Sequence, residues 1–134
     1  MLVRQFMTKD PVAVRASDPL SRVGEVFDVQ RFRHLPVVDD SGSLVGILSD
    51  RDLRNISAAM EILEQSLSHE SGVKVADVMT STVTSISPET RMKEAASTMA
   101  DLKIGALPVV EHGKLTGILS YTDILRAFAA IAPG

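Results

Sequence analysis

GILSDRD, residues 46–52, recurs as GILSYTD at residues 117–123, 71 positions further along. More of the chain repeats around these phrases. Met7-Thr8 returns as Met79-Thr80, and Leu35-Pro36-Val37-Val38 returns as Leu107-Pro108-Val109-Val110, each 72 positions on. Gly42 and Leu44 then return as Gly113 and Leu115, 71 positions on, in step with the opening phrases. The slip of one residue falls where Asp39-Asp40-Ser41 faces Glu111-His112. That is a polar turn, where an inserted residue is tolerated. The same residues in the same order, with one insertion in a turn, identify an internal duplication.

Each copy reads as β-α-β-β-α. Val12-Ala13-Val14 and Val83-Thr84-Ser85-Ile86 suit short strands. In copy one, Asp18 suits a helix cap and Pro19 a first helical position. Leu20, Val23, Val26, Phe27 and Gln30 then follow at helical spacing. Met92, Ala95, Ala96, Met99 and Leu102 trace the same stripe in copy two. LPVV and the strand ending in GIL make a hairpin in each copy, and a second helix begins near Asp52 and near Asp123. After Asp52, Leu53, Ile56, Met60, Ile62, Leu63 and Leu67 predict a helix followed by a linker. Glu70-Ser71-Gly72 marks the boundary. The expected division is therefore a first repeat over 1–70 and a second over 71–134. Units of about 55 residues are small for independent stability. Packing the two sheets face to face about a pseudo-twofold axis would bury both apolar faces and leave two related clefts.

Composition narrows the functions. The chain is 45% hydrophobic and 23% charged, with a formal net charge of −3. This is ordinary for a globular protein. It lacks the basic face of a general nucleic-acid binder. There is no Cys, so disulfides and thiolate chemistry are excluded, and a cytoplasmic location is expected. The N-terminal MLVRQFMTKDP has no apolar signal core, and no apolar run is long enough to span a bilayer. His34, His69 and His112 have no metal-ligand spacing. No metal site is expected, and Met7, Met79, Met92 and Met99 are read as core fillers. No GxSxG, P-loop or HExxH pattern is present, and no base adjoins Ser49 or Ser120, so no catalytic residue is assigned. Met1 and the short tail after the last helix favour a complete chain.

Two readings of the doubled phrase remain open. Ser-x-x-Asp before an apolar run resembles a capping box, with Ser49 accepting from helix N–H groups and Asp52 near the positive helix end. The same helix start suits a phosphate, and an Asp there suits a ribose diol. Gly46 and Gly117 leave room for a base or another backbone. In copy one, Arg31, Arg33 and His34 precede LPVV and Arg51 lies inside the phrase. The strand order would bring Arg33 and Arg51 toward one anion. The matching positions in copy two are Gly105, Ala106 and Thr122, which keep a hydroxyl but no charge.

Taken together, the Met-Thr openings, RHLPVVD at 33–39, ALPVVE at 106–111 and the two GILS phrases resemble a tandem pair of cystathionine β-synthase (CBS) domains, or Bateman module. The resemblance covers residues 3–130. SDRDLR and the helix after it are similar to the standalone acetoin-utilisation type. The resemblance implies an α+β fold of two β-α-β-β-α repeats meeting through their sheets, and a homodimer shaped as a flat disk. It implies a regulatory role, with AMP, ADP, ATP, NAD or S-adenosylmethionine bound in the clefts, and no required cofactor. Asp52 and Asp123 take the ribose-binding place. Ser49 and Ser120 lie near ribose and phosphates, and Thr122 matches the second hydroxyl of the family pattern. Arg51 departs from that pattern, trading a hydroxyl for a charge. Arg33 and His34 match phosphate-binding positions. Ile47 and Ile118 match residues that touch adenine, while Gly105 and Ala106 line the wall. A ligand-free dimerisation module is the alternative.

Overall fold

Two small three-stranded sheets carry the duplication, one in each of two compact units. The structure is a computed structural model, and it describes residues 1–20, 22–23, 34–49 and 73–132. The helix predicted after Asp52, together with Val26, Phe27, Gln30, Arg31, Arg33, Arg51 and Asp52, lies outside the described residues. One unit is formed by residues 12–83, the other by residues 1–11 with 84–134. The chain therefore passes between units at Pro11/Val12 and returns at Val83/Thr84.

In the unit of residues 12–83, strand β2 (Val14–Arg15) runs parallel to β3 (His34–Val38). Strand β4 (Leu44–Ser49) returns antiparallel to β3. Leu35, Val37 and Leu48 are fully buried with Val23 and Val75. The hairpin turn is held by Asp39, whose Oδ1 accepts from the Ser41 and Ser43 N–H groups and the Ser41 hydroxyl at 2.7–3.0 Å. Gly42 takes φ 85 there, a conformation that favours glycine. Helix α1 (Val75–Val78) follows. The helix that Asp18 is predicted to cap lies largely outside the described residues. The Asp18 carboxylate accepts from the Arg15 N–H at 2.9 Å, closing the Arg15–Asp18 turn. Pro19 bridges to Lys74, and the helical residues begin at Leu20.

In the other unit, β1 (Thr8–Lys9) pairs antiparallel with β6 (Lys114–Ser120), which pairs with β5 (Ala106–Glu111). His112 (φ 52) and Gly113 (φ 79) make the two-residue turn between them, with positive φ at both positions as a type I′ hairpin requires. This tighter turn accounts for the one-residue slip in the repeat. Helix α2 (Met92–Leu102) presents Met92, Ala95 and Met99 of its predicted stripe to Leu107, Val109 and Leu119, while Ala96 is half-buried and Leu102, in the last turn, is 50% exposed and lies off the core. Helix α3 (Tyr121–Ile131) follows β6 directly. The strand predicted over 83–86 reduces to one parallel bridge, Ile86 to Val109.

Both sheets bulge at the same place. Val37 faces Gly46 but Val38 faces Leu44, and Val109 faces Gly117 but Val110 faces Leu115. The glycine of each repeated phrase therefore adjoins a bulge. It also receives a visitor. Met7 packs on Gly117, and Met79 packs on Gly46. Each methionine ends a helical turn begun by a fully buried valine, with Met7 N–H donating to Val3 O and Met79 N–H to Val75 O. The threonine that follows pairs with the strand residue after the glycine, Thr8 with Ile118 and Thr80 with Ile47. The Met-Thr opening of each repeat thus completes the sheet built by the other repeat's GILS strand.

Candidate functional site

Successive residues of a strand point to opposite faces, and this divides the repeated phrase by role. Gly46 and Leu48 face the core, so Ile47 and Ser49 face the other way. The antiparallel register puts Pro36 opposite Ile47 and His34 opposite Ser49. His34, Ile47 and Ser49 therefore gather on one face, all half-buried. In the second sheet Ile118 and Ser120 share the corresponding face, with Pro108 and Ala106 opposite them. The start of LPVV does meet the end of GILS, as the sequence suggests. Of the predicted copy-one residues, Arg33, Arg51 and Asp52 lie outside the described set, so the full site is visible only in copy two.

There, β6 runs into α3 with no intervening loop, and Ser120 is the residue before the first helical turn. Asp123 sits one turn in and is only 3% exposed. Its Oδ2 accepts from the Ser120 N–H at 2.9 Å and from the Ser120 hydroxyl at 3.1 Å. The carboxylate half of a capping box is therefore present. The Ser120 hydroxyl adds a second donor to that carboxylate. The Tyr121 N–H donates to Gly105 O at 3.2 Å, tying the helix start to the residue before β5. Thr122 is exposed beside Asp123. The N–H groups of Thr122 and Asp123 belong to the first turn, which an α-helix cannot satisfy internally. They bring partial positive charge to the same end.

One residue of the site is not singled out by the repeat. Arg126 Nη1 lies 3.2 Å from Asp123 Oδ1, with the arginine side chain 70% exposed and the aspartate side chain 4%. Its sequence signal is the i,i+3 spacing from Asp123 on a helix. Its counterpart 71 positions earlier is Asn55, so the repeat hides it. The positions matching Arg33, His34 and Arg51 are uncharged in copy two, yet this end carries a cation from a position of its own.

The arrangement offers a buried carboxylate, hydroxyls, backbone donors and an exposed guanidinium. That set has the chemistry to accept from a diol and to donate to an anion. Among the described residues no group of His, Asp and Glu is placed to hold a metal ion. Nor is any described helix long and apolar enough to cross a membrane.

A model of the CBS domain matches residues 3–65 and again 75–130. Inosine-5'-monophosphate dehydrogenase of Mycobacterium leprae is 37% identical over 122 residues, which is 90% of this chain and 21% of that enzyme. The chain thus spans about a fifth of the length of the dehydrogenases it matches. Because the two CBS matches fill nearly all of this chain, the shared stretch is a CBS pair. The crystal structure of CBSX2 in complex with AMP superposes with a TM-score of 0.81 at 30% identity, covering 97% of both chains. A Vibrio cholerae protein assigned to acetoin utilization (AcuB) gives a TM-score of 0.82 at 30% identity, over 98% of this chain and 93% of that one. This chain belongs to the CBS domain family and carries two copies of the domain in tandem.

Proposed function

We propose that the chain is a regulatory module that binds adenosine-containing ligands and alters the state of a partner protein. The observation that carries this reading is the Ser120–Asp123 arrangement, a buried carboxylate at a helix start on the face shared by Ile118 and Ser120. The likeness to CBSX2 in complex with AMP supports it. Asp123 and Asp52 hold ribose diols. Ser120, Thr122 and Ser49 contact ribose or phosphate. Ile118 and Ile47 lie against adenine, with Gly105 and Ala106 as wall. Arg33, His34 and Arg51 give the copy-one site a stronger preference for phosphate-rich ligands. The ligand is regulatory, so no cofactor and no catalytic step is invoked. A cytoplasmic setting suits the absence of Cys.

The module assembles with a second copy of itself. The apolar face of α3, formed by Tyr121, Leu125, Phe128 and Ile131, is 51–66% exposed and lies along one side of the helix. The same surface favours the second reading, a dimerisation module with no ligand. A thermal-shift panel of AMP, ADP, ATP, NAD and S-adenosylmethionine separates the two. Ligand that binds only the folded state raises the melting temperature, by about 2.7 kcal/mol of stabilisation at 100 times its Kd. No shift with any of them at millimolar concentration would leave only the dimerisation reading.

A further inference from the structure

We propose that Arg126 determines the specificity of the copy-two site, selecting adenosine ligands that carry an anionic group over neutral nucleosides. The inference rests on the binding reading above and goes beyond it, since Arg126 matches no site position of the repeat. A buried carboxylate that holds a ribose diol has an electrostatic consequence. It places a full negative charge where a nearby phosphate must come, and like charges brought together in a binding site are strongly unfavourable. A phosphate monoester carries about −1.5 to −2 near neutral pH. In copy one, Arg51 adjoins Asp52 in sequence and Arg33 immediately precedes the strand paired with GILS, so both are candidates to offset that charge. In copy two those positions are Gly105 and Thr122, which offset nothing.

Arg126 supplies the compensation from inside the helix. Its Nη1 bonds Asp123 Oδ1 at 3.2 Å, while Oδ2 is taken by the Ser120 N–H and hydroxyl. The carboxylate is thus fixed by three donors and locally neutralised, and of its roughly four lone-pair sites about one is left for a ribose hydroxyl. Among the described residues Arg126 engages only Asp123, through one of its two Nη atoms. A guanidinium has five N–H donors in a fork suited to phosphate. The remainder lie on a side chain that is 70% exposed. Arg126 therefore does two things at once. It removes the repulsion that Asp123 would impose on a phosphate, and it offers the phosphate a charged donor.

The test reads selectivity, not affinity alone. AMP and adenosine are titrated calorimetrically into the full chain carrying Asp52→Ala, which leaves the copy-two site to report, with and without Arg126→Gln. The expected result is that Arg126→Gln lowers the ratio of AMP to adenosine affinity by about tenfold, with adenosine binding little weakened, and that Arg126→Lys restores most of the ratio. If Arg126 merely positions Asp123, both ligands weaken together and the ratio stays put; that result overturns the proposal. Binding of neither ligand to the Asp52→Ala chain or to the unaltered chain overturns the binding reading itself and this inference with it. Binding to the unaltered chain with an unchanged ratio in Arg126→Gln overturns only the inference.

Discussion

Met7 occupies the space that a side chain on Gly117 would need: an ideal Cβ on Gly117 would fall 2.6 Å from Met7 Sδ and 3.0 Å from the Thr8 carbonyl oxygen. Met79 stands in the same relation to Gly46, where a Cβ would meet Met79 Cγ at 2.9 Å and Thr80 O at 3.0 Å. The repeated glycine and the repeated Met-Thr are thus two halves of one contact. Neither needs a ligand to explain it, although the glycine lies in the strand that carries the proposed ligand-binding face.

Gly117→Ala and Gly46→Ala should each destabilise the protein by about 1–3 kcal/mol, the usual range for overpacking a close-fitted site. Denaturant unfolding measures it. Pairing Gly117→Ala with Met7→Ala should shrink the cost of the glycine change, because the shared neighbour is gone. An undiminished cost would mean that Met7 is not what the glycine accommodates.

Removing residues 1–11 should damage the second repeat rather than the first. Those residues supply β1, the Val3 that is fully buried beside Leu107 and Leu119, and the Met7 contact. Hydrogen exchange on the truncated chain should show lost protection in β6 and β5. Losses confined to residues 12–83 would contradict the assignment of this segment.

Ser120→Ala removes one of three donors to Asp123 and leaves the backbone N–H, so it should cost about 1 kcal/mol. Asp123→Ala should cost more, about 1–2 kcal/mol, because it removes the helix-start acceptor and strands the Ser120 N–H. Little of that loss should come from Arg126, since an ion pair with one exposed partner contributes about 0.2–1 kcal/mol. Equal costs for the two changes would deny Asp123 its place at the centre of the network.

Phe128→Glu on the exposed stripe of α3 should leave the fold intact, because the residue is 64% exposed, while shifting the protein toward monomer. Sedimentation across a concentration series reads the change. A dimer unaffected by charges at both Phe128 and Leu125 would place the self-interface elsewhere.

Much of this was legible in the chain. The duplication, the LPVV and GILS hairpins and the Met92–Leu102 helix follow from repetition and periodicity, which are local signals. The opposition of His34 to Ser49 follows from the hairpin, once LPVV and GILS are paired. What escaped was non-local or fell outside the repeat. Thr8 pairs with Ile118, 110 residues away, and no spacing rule connects them. Arg126 was hidden because it breaks the repeat, whereas comparing the copies draws attention to what they share.

Calorimetric titration of AMP into the unaltered chain, into Asp123→Ala and into Asp52→Ala tests the central claim most directly. The account predicts saturable binding to the unaltered chain and loss of a distinct site with each change, the Asp52 site being the tighter for phosphate-rich ligands. Binding that survives both changes together, or no binding to the unaltered chain at millimolar AMP, would contradict it.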